Sequence, residues 1–142
     1  MDRMTLFNLG RVMGWFSIAG FVISFLNTAF KRVNKEVMMK RERDDGLRKG
    51  YQQFLRTYLK AHPYIGIATG VFVVAHFLIQ FEFYGFYWTG IIAGSLMLAT
   101  VLLGVYGQWA KKRRPGLWLK IHRWLPLALL AAVVVHVVNA LM

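Results

Sequence analysis

Four histidines, the only ones in the chain, are the residues whose type and spacing most clearly suggest chemistry. The interval from His62 to His76 equals the interval from His122 to His136 (76 − 62 = 136 − 122 = 14). Each pair lies in a long apolar stretch, where an ionisable side chain is costly and usually has a functional role. On a helix, this interval spans about 21 Å and about four turns. The two histidines of each stretch therefore point to nearly the same side, at two different depths.

Four long segments without charged residues carry or flank these histidines. They are residues 12–30, 61–81, 83–110 and 124–142. Each is long enough to cross a hydrocarbon core about 30 Å thick at about 1.5 Å per residue, and the mean hydropathy of the whole chain is +0.44. Because a spanning segment must satisfy its own backbone hydrogen bonds, the sequence predicts an all-α, four-helix transmembrane bundle. The helices predicted within this single domain, residues 1–142, cover about 10–30, 62–81, 84–110 and 121–141.

Basic residues are concentrated in two of the connections between these segments. Ten of the 18 Lys and Arg lie in residues 31–60 and six in 111–123, whereas the connection around Gly85 has none. This asymmetry is what the positive-inside rule produces. It predicts that the basic loops, 31–60 and 111–120, are cytoplasmic and that both termini lie outside, in a prokaryotic cytoplasmic membrane. The net charge of +12 is then explained by topology and contact with anionic lipid, and no nucleic-acid partner is expected.

The first basic segment also contains a helical pattern. Apolar residues recur in steps of three and four at Leu47, Tyr51, Phe54, Leu55, Tyr58 and Leu59. That spacing predicts an amphipathic interfacial helix between transmembrane helices one and two. Pro63 follows, at a position that suits a helix start or a kink.

The histidines are expected to pair between helices two and four. Both helices run in the same direction, so His62 shares its depth with His122, and His76 shares its depth with His136. Two imidazoles facing each other across the bundle, with a gap that a flat macrocycle could fill, suit the six-coordinate iron of a b-type haem. The sequence therefore predicts two non-covalent, bis-histidine haem b groups. His62 and His122 would ligate the inner iron, and His76 and His136 the outer iron.

Other uses of the histidines fit the sequence less well. A structural or catalytic zinc site needs three or four converging ligands, and the chain has no cysteine. The same absence excludes iron–sulfur clusters and a covalently attached c-type haem. A proton relay would need carboxylates along its route, but Glu82 is the only acid outside the termini and the first basic segment. A single buried histidine is usually just a hydrogen-bonded polar residue, and the matched spacing is what argues against that interpretation.

Glycines and basic residues provide further candidate contacts to these cofactors. Gly90 and Gly104, on helix three, are separated by the same interval as the histidines (104 − 90 = 14). Glycine allows close approach to a macrocycle edge, although ordinary close helix packing is an equal explanation. At the inner level, the side chains within about a turn of the ligands that could bind haem propionates are Lys60, Lys120 and Arg123. The outer level has no basic neighbour in sequence.

The histidine and glycine spacing resembles the di-haem core of cytochrome b in the quinol-oxidising bc complexes, and that of the transmembrane domain of ferric reductases and NADPH oxidases. In those families two helices each carry two histidines with the spacing of His62–His76 and His122–His136, and Gly90 with Gly104 resembles the cytochrome b glycine pair. The resemblance covers helices two to four. It implies transmembrane electron transfer, but the chain shows neither a flavin- or nicotinamide-binding segment nor a quinone-site motif.

Two functions of different classes follow from the sequence. The first is electron transfer through two b haems, as a membrane subunit of a larger oxidoreductase with no complete active site of its own. Its expected partners are membrane lipid, other redox subunits, and quinone or quinol. The second is a haem-free membrane anchor or a small proton-linked transporter subunit, whose histidines pack or bind protons. A visible spectrum of the purified protein distinguishes the two.

Overall fold

The computed structural model describes residues 2–111, 114 and 116–142, which form helices joined by short connections. The helices are α1 (Arg3–Phe25), α2 (Asn27–Glu36), α3 (Gly46–Tyr84), α4 (Trp88–Val105) and α5 (Leu117–Leu141). A 3-10 turn, Met38–Lys40, follows α2, and a π-helical turn, Tyr106–Ala110, continues α4. Four helical stretches are long and apolar enough to cross a membrane: Arg3–Lys40, Gly46–Tyr84, Trp88–Ala110 and Leu117–Leu141. The predicted all-α, four-helix transmembrane fold is confirmed, and the chain is an integral membrane protein.

The boundaries of the helices differ from those predicted. The first helix begins at Arg3 because the Asp2 side chain accepts a hydrogen bond from the Thr5 amide at 2.6 Å and caps it. The third begins at Trp88 rather than at 84, and the fourth at Leu117 rather than at 121. Residues 31–60, predicted as a basic loop containing an amphipathic helix from Leu47 onward, are also helical before that segment, in α2 and in the 3-10 turn.

The amphipathic segment is helical as predicted, but it is continuous with the second transmembrane helix. Asp45 caps α3, accepting from the amides of Leu47 at 2.7 Å and Arg48 at 3.3 Å. From there α3 runs for 39 residues through Pro63 to Tyr84, and the next residue, Gly85, terminates it with a positive φ of 61°. An interior proline removes one backbone hydrogen bond and its ring crowds the preceding turn, yet Pro63 lies inside α3 and does not end it.

Helix packing follows chain order, with α1 against α3, α3 against α4, and α4 against α5. Each of these helices supplies one residue to a central buried layer of Phe21, Val73, Met97 and Leu129. Leu129, the most buried of them, has no exposed surface. It lies midway in sequence between the two histidines of α5 (129 − 122 = 136 − 129). The apolar layer therefore separates two histidine levels along the bundle.

The two ends of the bundle differ in composition. We call the end with the two basic segments the basic end, and the opposite end, with Gly85 and both termini, the terminal end. Large apolar side chains such as Trp15, Val71 and Leu102 are more than half exposed on the sides of the bundle, as expected for surfaces that contact lipid.

Candidate cofactor site

The structure brings one histidine of α3 against one histidine of α5 at the terminal end. The ring centroids of His76 and His136 are 6.2 Å apart, and the ring planes are inclined at 74°. The helices position these rings because α3 and α5 run in the same direction and both flank α4. We call His76 and His136 the terminal pair.

His62 and His122 lie at the other level of the bundle, the basic end, and we call them the basic-end pair. The two side chains are close enough to interact electrostatically. The Nδ1 atom of His62 is buried and has no hydrogen-bond partner among the described residues. The pairs predicted from depth, His76 with His136 and His62 with His122, are thus the ones that the fold brings near each other.

Hydrogen bonds fix the protonation of two of these rings. His76 Nδ1 is 2.8 Å from the Gly10 carbonyl oxygen, and His122 Nδ1 is 3.0 Å from the Thr100 carbonyl oxygen. Because a carbonyl can only accept, each Nδ1 must carry the proton. In a neutral ring this leaves the lone pair on Nε2. Histidines that ligate metals are usually oriented by such a bond through their other ring nitrogen.

His136 makes a similar contact with a side chain. Its Nδ1 is 3.2 Å from the Thr89 hydroxyl oxygen. A hydroxyl can accept as well as donate, so this contact is compatible with the same tautomer. Thr89 lies in the first turn of α4, next to Gly90.

Glycines of α4 lie against both histidines of α5. A Cβ atom on Gly90 would be 3.0 Å from His136 Cε1, and one on Gly104 would be 3.2 Å from His122 Cε1. Both distances are too short for an unstrained contact. The helices α4 and α5 run in opposite directions, so residues that face each other along one register have the same sum of residue numbers. Both contacts meet this condition (90 + 136 = 104 + 122). The sequence spacing of the glycines therefore matches that of the histidines in space.

A cavity of about 630 Å³ opens beside the terminal pair. Residues from α1, α3, α4 and α5 line it, among them His76, His136, Gly14 and Gly90. Its size is within the range of about 300–1,000 Å³ that is usual for cofactor sites. Arg11 also lines the cavity, so the terminal end does have a basic side chain nearby, although it is distant in sequence.

The terminal pair fits the macrocycle predicted from the sequence. If one metal ion were bound between the two imidazoles, with each metal–nitrogen bond about 2 Å long, the ring centres would be about 6 Å apart. The observed distance between the ring centres of His76 and His136 is 6.2 Å. The cavity beside the rings leaves room for a flat group, whereas Gly90 and Gly104, predicted to face a macrocycle edge, are in contact with the imidazoles of His136 and His122. At the basic end, the unpartnered Nδ1 of His62 is a buried polar atom that still needs a hydrogen-bonding group.

The three residues predicted to bind propionates at the basic end, Lys60, Lys120 and Arg123, differ in their relation to the histidines. Arg123 interacts electrostatically with His122. Lys60 and Lys120 are exposed. Lys31 of α2 interacts electrostatically with both His62 and His122.

Several residues of the site could not be found from the histidine spacing. They are Gly10, Arg11, Gly14, Lys31, Thr89 and Thr100. A Cβ atom on Gly14 would be 2.9 Å from His76 Cε1, so this glycine allows α1 to approach the terminal pair. Small residues at positions 10, 14, 17 and 20 recur at helical spacing, and that pattern is the signal that could have identified this face of α1.

No group of three or more His, Cys, Asp or Glu side chains converges within residues 2–111, 114 and 116–142. The histidines come together as pairs, fewer than the three or four ligands of a typical zinc site. Comparison with protein families, curated proteins and solved structures gives no significant match. The resemblance to di-haem cytochromes thus depends on the residues themselves.

Proposed function

We propose that this protein transfers electrons across the membrane through two b-type haems. His76 and His136 would ligate the iron at the terminal end, and His62 and His122 the iron at the basic end. The observation that carries the proposal is the repeated arrangement of α3, α4 and α5. The two histidines of α3 and the two histidines of α5 are separated by the same sequence interval. Two glycines of α4 with that same interval contact the two histidines of α5, one at each level.

The chain's own side chains would hold each cofactor and set its properties. A bound haem supplies reversible one-electron chemistry at its iron. The Nδ1–H groups of His76 and His122 donate hydrogen bonds to the carbonyls of Gly10 and Thr100. These bonds leave each Nε2 available as a ligand and raise its basicity. The buried apolar layer of Phe21, Val73, Met97 and Leu129 separates the two levels.

The proposed orientation places the basic end in the cytoplasm and the terminal end outside, in a prokaryotic cytoplasmic membrane. This assignment depends on the positive-inside rule. Electrons would pass between a partner at one face and a partner at the other, either quinol or a peripheral redox protein. At 16.4 kDa, the chain would act as the membrane subunit of a larger oxidoreductase.

Measuring haem in the purified protein tests the proposal directly. We expect two non-covalent protoporphyrin-type haems per chain by pyridine haemochrome assay, released by acid–acetone. The reduced protein should show the sharp α and β bands of low-spin, six-coordinate iron. A preparation from haem-sufficient cells without a Soret band would contradict electron transfer by haem. It would leave a membrane anchor or proton-linked transporter as the function.

A further inference from the structure

The α3 helix continues beyond the end of α4 at the basic end of the bundle. An added Cβ atom on Gly70 would be 3.4 Å from Cγ1 of Val101, so these residues of the two antiparallel helices face each other. The α4 stretch ends nine residues after this contact, at Ala110 (110 − 101), whereas α3 begins 24 residues before it, at Gly46 (70 − 46). Measured along the helices, α3 is longer on this side by about 22 Å.

The α3 helix also continues beyond the start of α5. The contact between His76 and His136 fixes the relative level of these two parallel helices. From that level toward the basic end, α5 runs for 19 residues, to Leu117 (136 − 117), and α3 runs for 30, to Gly46 (76 − 46). The difference of 11 residues is about 16 Å. The basic end therefore forms a step, at which α4 and α5 stop and α3 continues.

The α2 helix accompanies α3 to its tip. The Phe30 carbonyl accepts a hydrogen bond from the Tyr51 hydroxyl at 2.9 Å. Beyond α2, the Sδ atom of Met39 accepts from the side-chain amide of Gln52 at 3.5 Å. The upper part of the step is thus a pair of packed antiparallel helices. We call residues 31–60 the basic hairpin.

The basic hairpin has a large net positive charge. It contains ten Lys and Arg but four Asp and Glu, a balance of +6 (10 − 4). Three of these acids form ion pairs with cations of the hairpin itself: Glu36 with Arg32, Asp44 with Lys49, and Asp45 with Arg41. Residues 111–123, which include the first turns of α5, contain six Lys and Arg and no acid. Both surfaces of the step therefore attract a negatively charged body.

Arg56 lies at the inside corner of the step. It is exposed and forms no ion pair within the described part of the chain. It precedes Gly70 by 14 residues, about four turns, and so lies on the side of α3 that faces α4. Arg32 has the opposite position. It lines a groove formed entirely by residues 25–37, with no residue of α3, and is therefore on the outer side of the hairpin.

Anionic lipid can neutralise the charges near the membrane, but its influence decays over a Debye length of about 8–10 Å. The basic hairpin continues about 16 Å beyond the start of α5. A partner that opposes the charge on both surfaces must therefore rest on the ends of α4 and α5 and extend along the hairpin. A folded protein has that size, whereas a lipid headgroup does not.

We propose that the step is the docking site of a soluble protein with an acidic face. The inference depends on the proposed function for the partner's role, which is that of the peripheral one-electron carrier at the basic end. A partner seated in the step lies near the histidines, because His122 is five residues inside α5 (122 − 117), or about 8 Å. One electron passes between the carrier and the iron, so that one is oxidised as the other is reduced, and no bond forms or breaks.

Binding of a purified acidic flavodoxin to the protein in phosphatidylcholine nanodiscs tests the step. Biolayer interferometry measures the association and dissociation rates, whether or not haem is bound. We expect association that slows as salt is added. Arg56→Glu should lower the association rate about tenfold at low salt and change the dissociation rate much less. Arg32→Glu is the matched control, because it makes the same charge change on the outer side of the same hairpin.

The outcomes separate this inference from the proposed function. If haem is absent but Arg56→Glu alone slows binding, the proposed function fails and the docking site stands. If two haems are present and the two variants bind alike, or flavodoxin does not bind at low salt, the docking site is wrong.

A spin label on a cysteine at Gln53 tests the lipid alternative. We expect the label to be relaxed by a water-soluble nickel chelate more than by oxygen, because the hairpin stands clear of the membrane. The reverse preference would place the hairpin on the membrane surface. It would assign the cations of the hairpin to lipid phosphates and overturn the docking site.

Discussion

In His76 and His122, the two nitrogens of each ring have different roles. In His76 and His122, Nδ1 donates to a backbone carbonyl, so Nε2 is the nitrogen with a free lone pair. The carbonyl of Gly10 belongs to α1 and that of Thr100 to α4. Neighbouring helices therefore orient the rings, which makes the ligand geometry a property of the assembled bundle.

Replacing one histidine at a time should separate the two levels. We expect His136→Ala to remove one haem per chain and His122→Ala to remove the other. The reason is that the two levels lie about 21 Å apart along α5 and that, in the proposed function, each pair would be a complete axial set. Haemochrome stoichiometry with reduced-minus-oxidised spectra measures this. Loss of the same spectral component in both variants would mean that the histidines pair differently.

A glycine replacement tests the close contact of α4 with α5. We expect Gly90→Ala to lower haem content at the terminal end, because its Cβ atom would lie 3.0 Å from His136 Cε1 and displace the ring. Gly66→Ala, on α3, is the control. A Cβ atom there would have no neighbour within 4 Å, and Gly66 is not among the residues that line the cavity. Equal haem content in both variants would show that Gly90 is only a packing residue.

At the scale of elements, α3 combines two roles. Its first third contacts α2 through Tyr51, whose hydroxyl donates to the carbonyl of Phe30, and contacts α1 through Tyr58, whose hydroxyl donates to the carbonyl of Ile23. Its remainder crosses the membrane and carries both His62 and His76. A single helix thereby couples the position of the basic surface segment to the orientation of His62 and His76.

The continuity of α3 predicts a long distance between spin labels. With cysteines at Gln53 and Leu78 (78 − 53 = 25), an unbroken helix should separate the backbone positions by about 38 Å. Pulsed electron paramagnetic resonance on the labelled protein measures the distance. A distribution centred many ångströms shorter would indicate a bend at Pro63, as in an interfacial helix lying in the membrane plane.

The cap of α3 should make its first turn sensitive to pH. The Arg41 side chain, which donates to the Asp45 carboxylate at 2.6 Å, lowers the pKa of that carboxyl, with help from the amides of Arg48 and Leu47. A lowered pKa means that the stabilisation is present above the unfolded pKa, about 3.9. It is lost as the pH falls through the folded value.

Hydrogen exchange measures this effect. We expect Asp45→Ala to reduce amide protection at Leu47 and Arg48 at neutral pH. In the unaltered protein, the same protection factors should fall only when the pH drops below about 4. Asp44→Ala is a suitable control, because the Asp44 carboxylate contacts the Lys49 ammonium, at 3.0 Å, and does not cap the helix. Unchanged protection in Asp45→Ala would contradict the cap.

The sequence predicted the spans and the histidine levels because both depend on helical period and length alone. It could not predict contacts of α1 and α2, since helix one carries no histidine to set its register against α3. Arg11 and Lys31 were missed for that reason, and Lys60 and Lys120 were expected because they adjoin histidines in the chain. Pro63 was expected to begin or bend a helix; it does not begin one, since α3 runs through it, and a bend at this position stays a prediction.

For the whole molecule, the asymmetric charge predicts the orientation in the membrane. We expect cysteines introduced at Arg43 and Gly116 to resist an impermeant thiol reagent in intact cells and to react after lysis. A cysteine at Phe86, which is 72% exposed, should react in intact cells; Gly85 is avoided because its positive φ is strained with a side chain. The reverse labelling pattern would invert the orientation and exchange the compartments that the two histidine levels face.

The cavity at the terminal end has a consequence for biogenesis. Its wall includes Phe7, near the start of α1, and Leu141, at the end of α5, so the cavity is complete only when α5 has entered the membrane. A ligand held by this cavity would therefore be captured by the assembled bundle, after α1, α3, α4 and α5 have been inserted, and not by a partly inserted one.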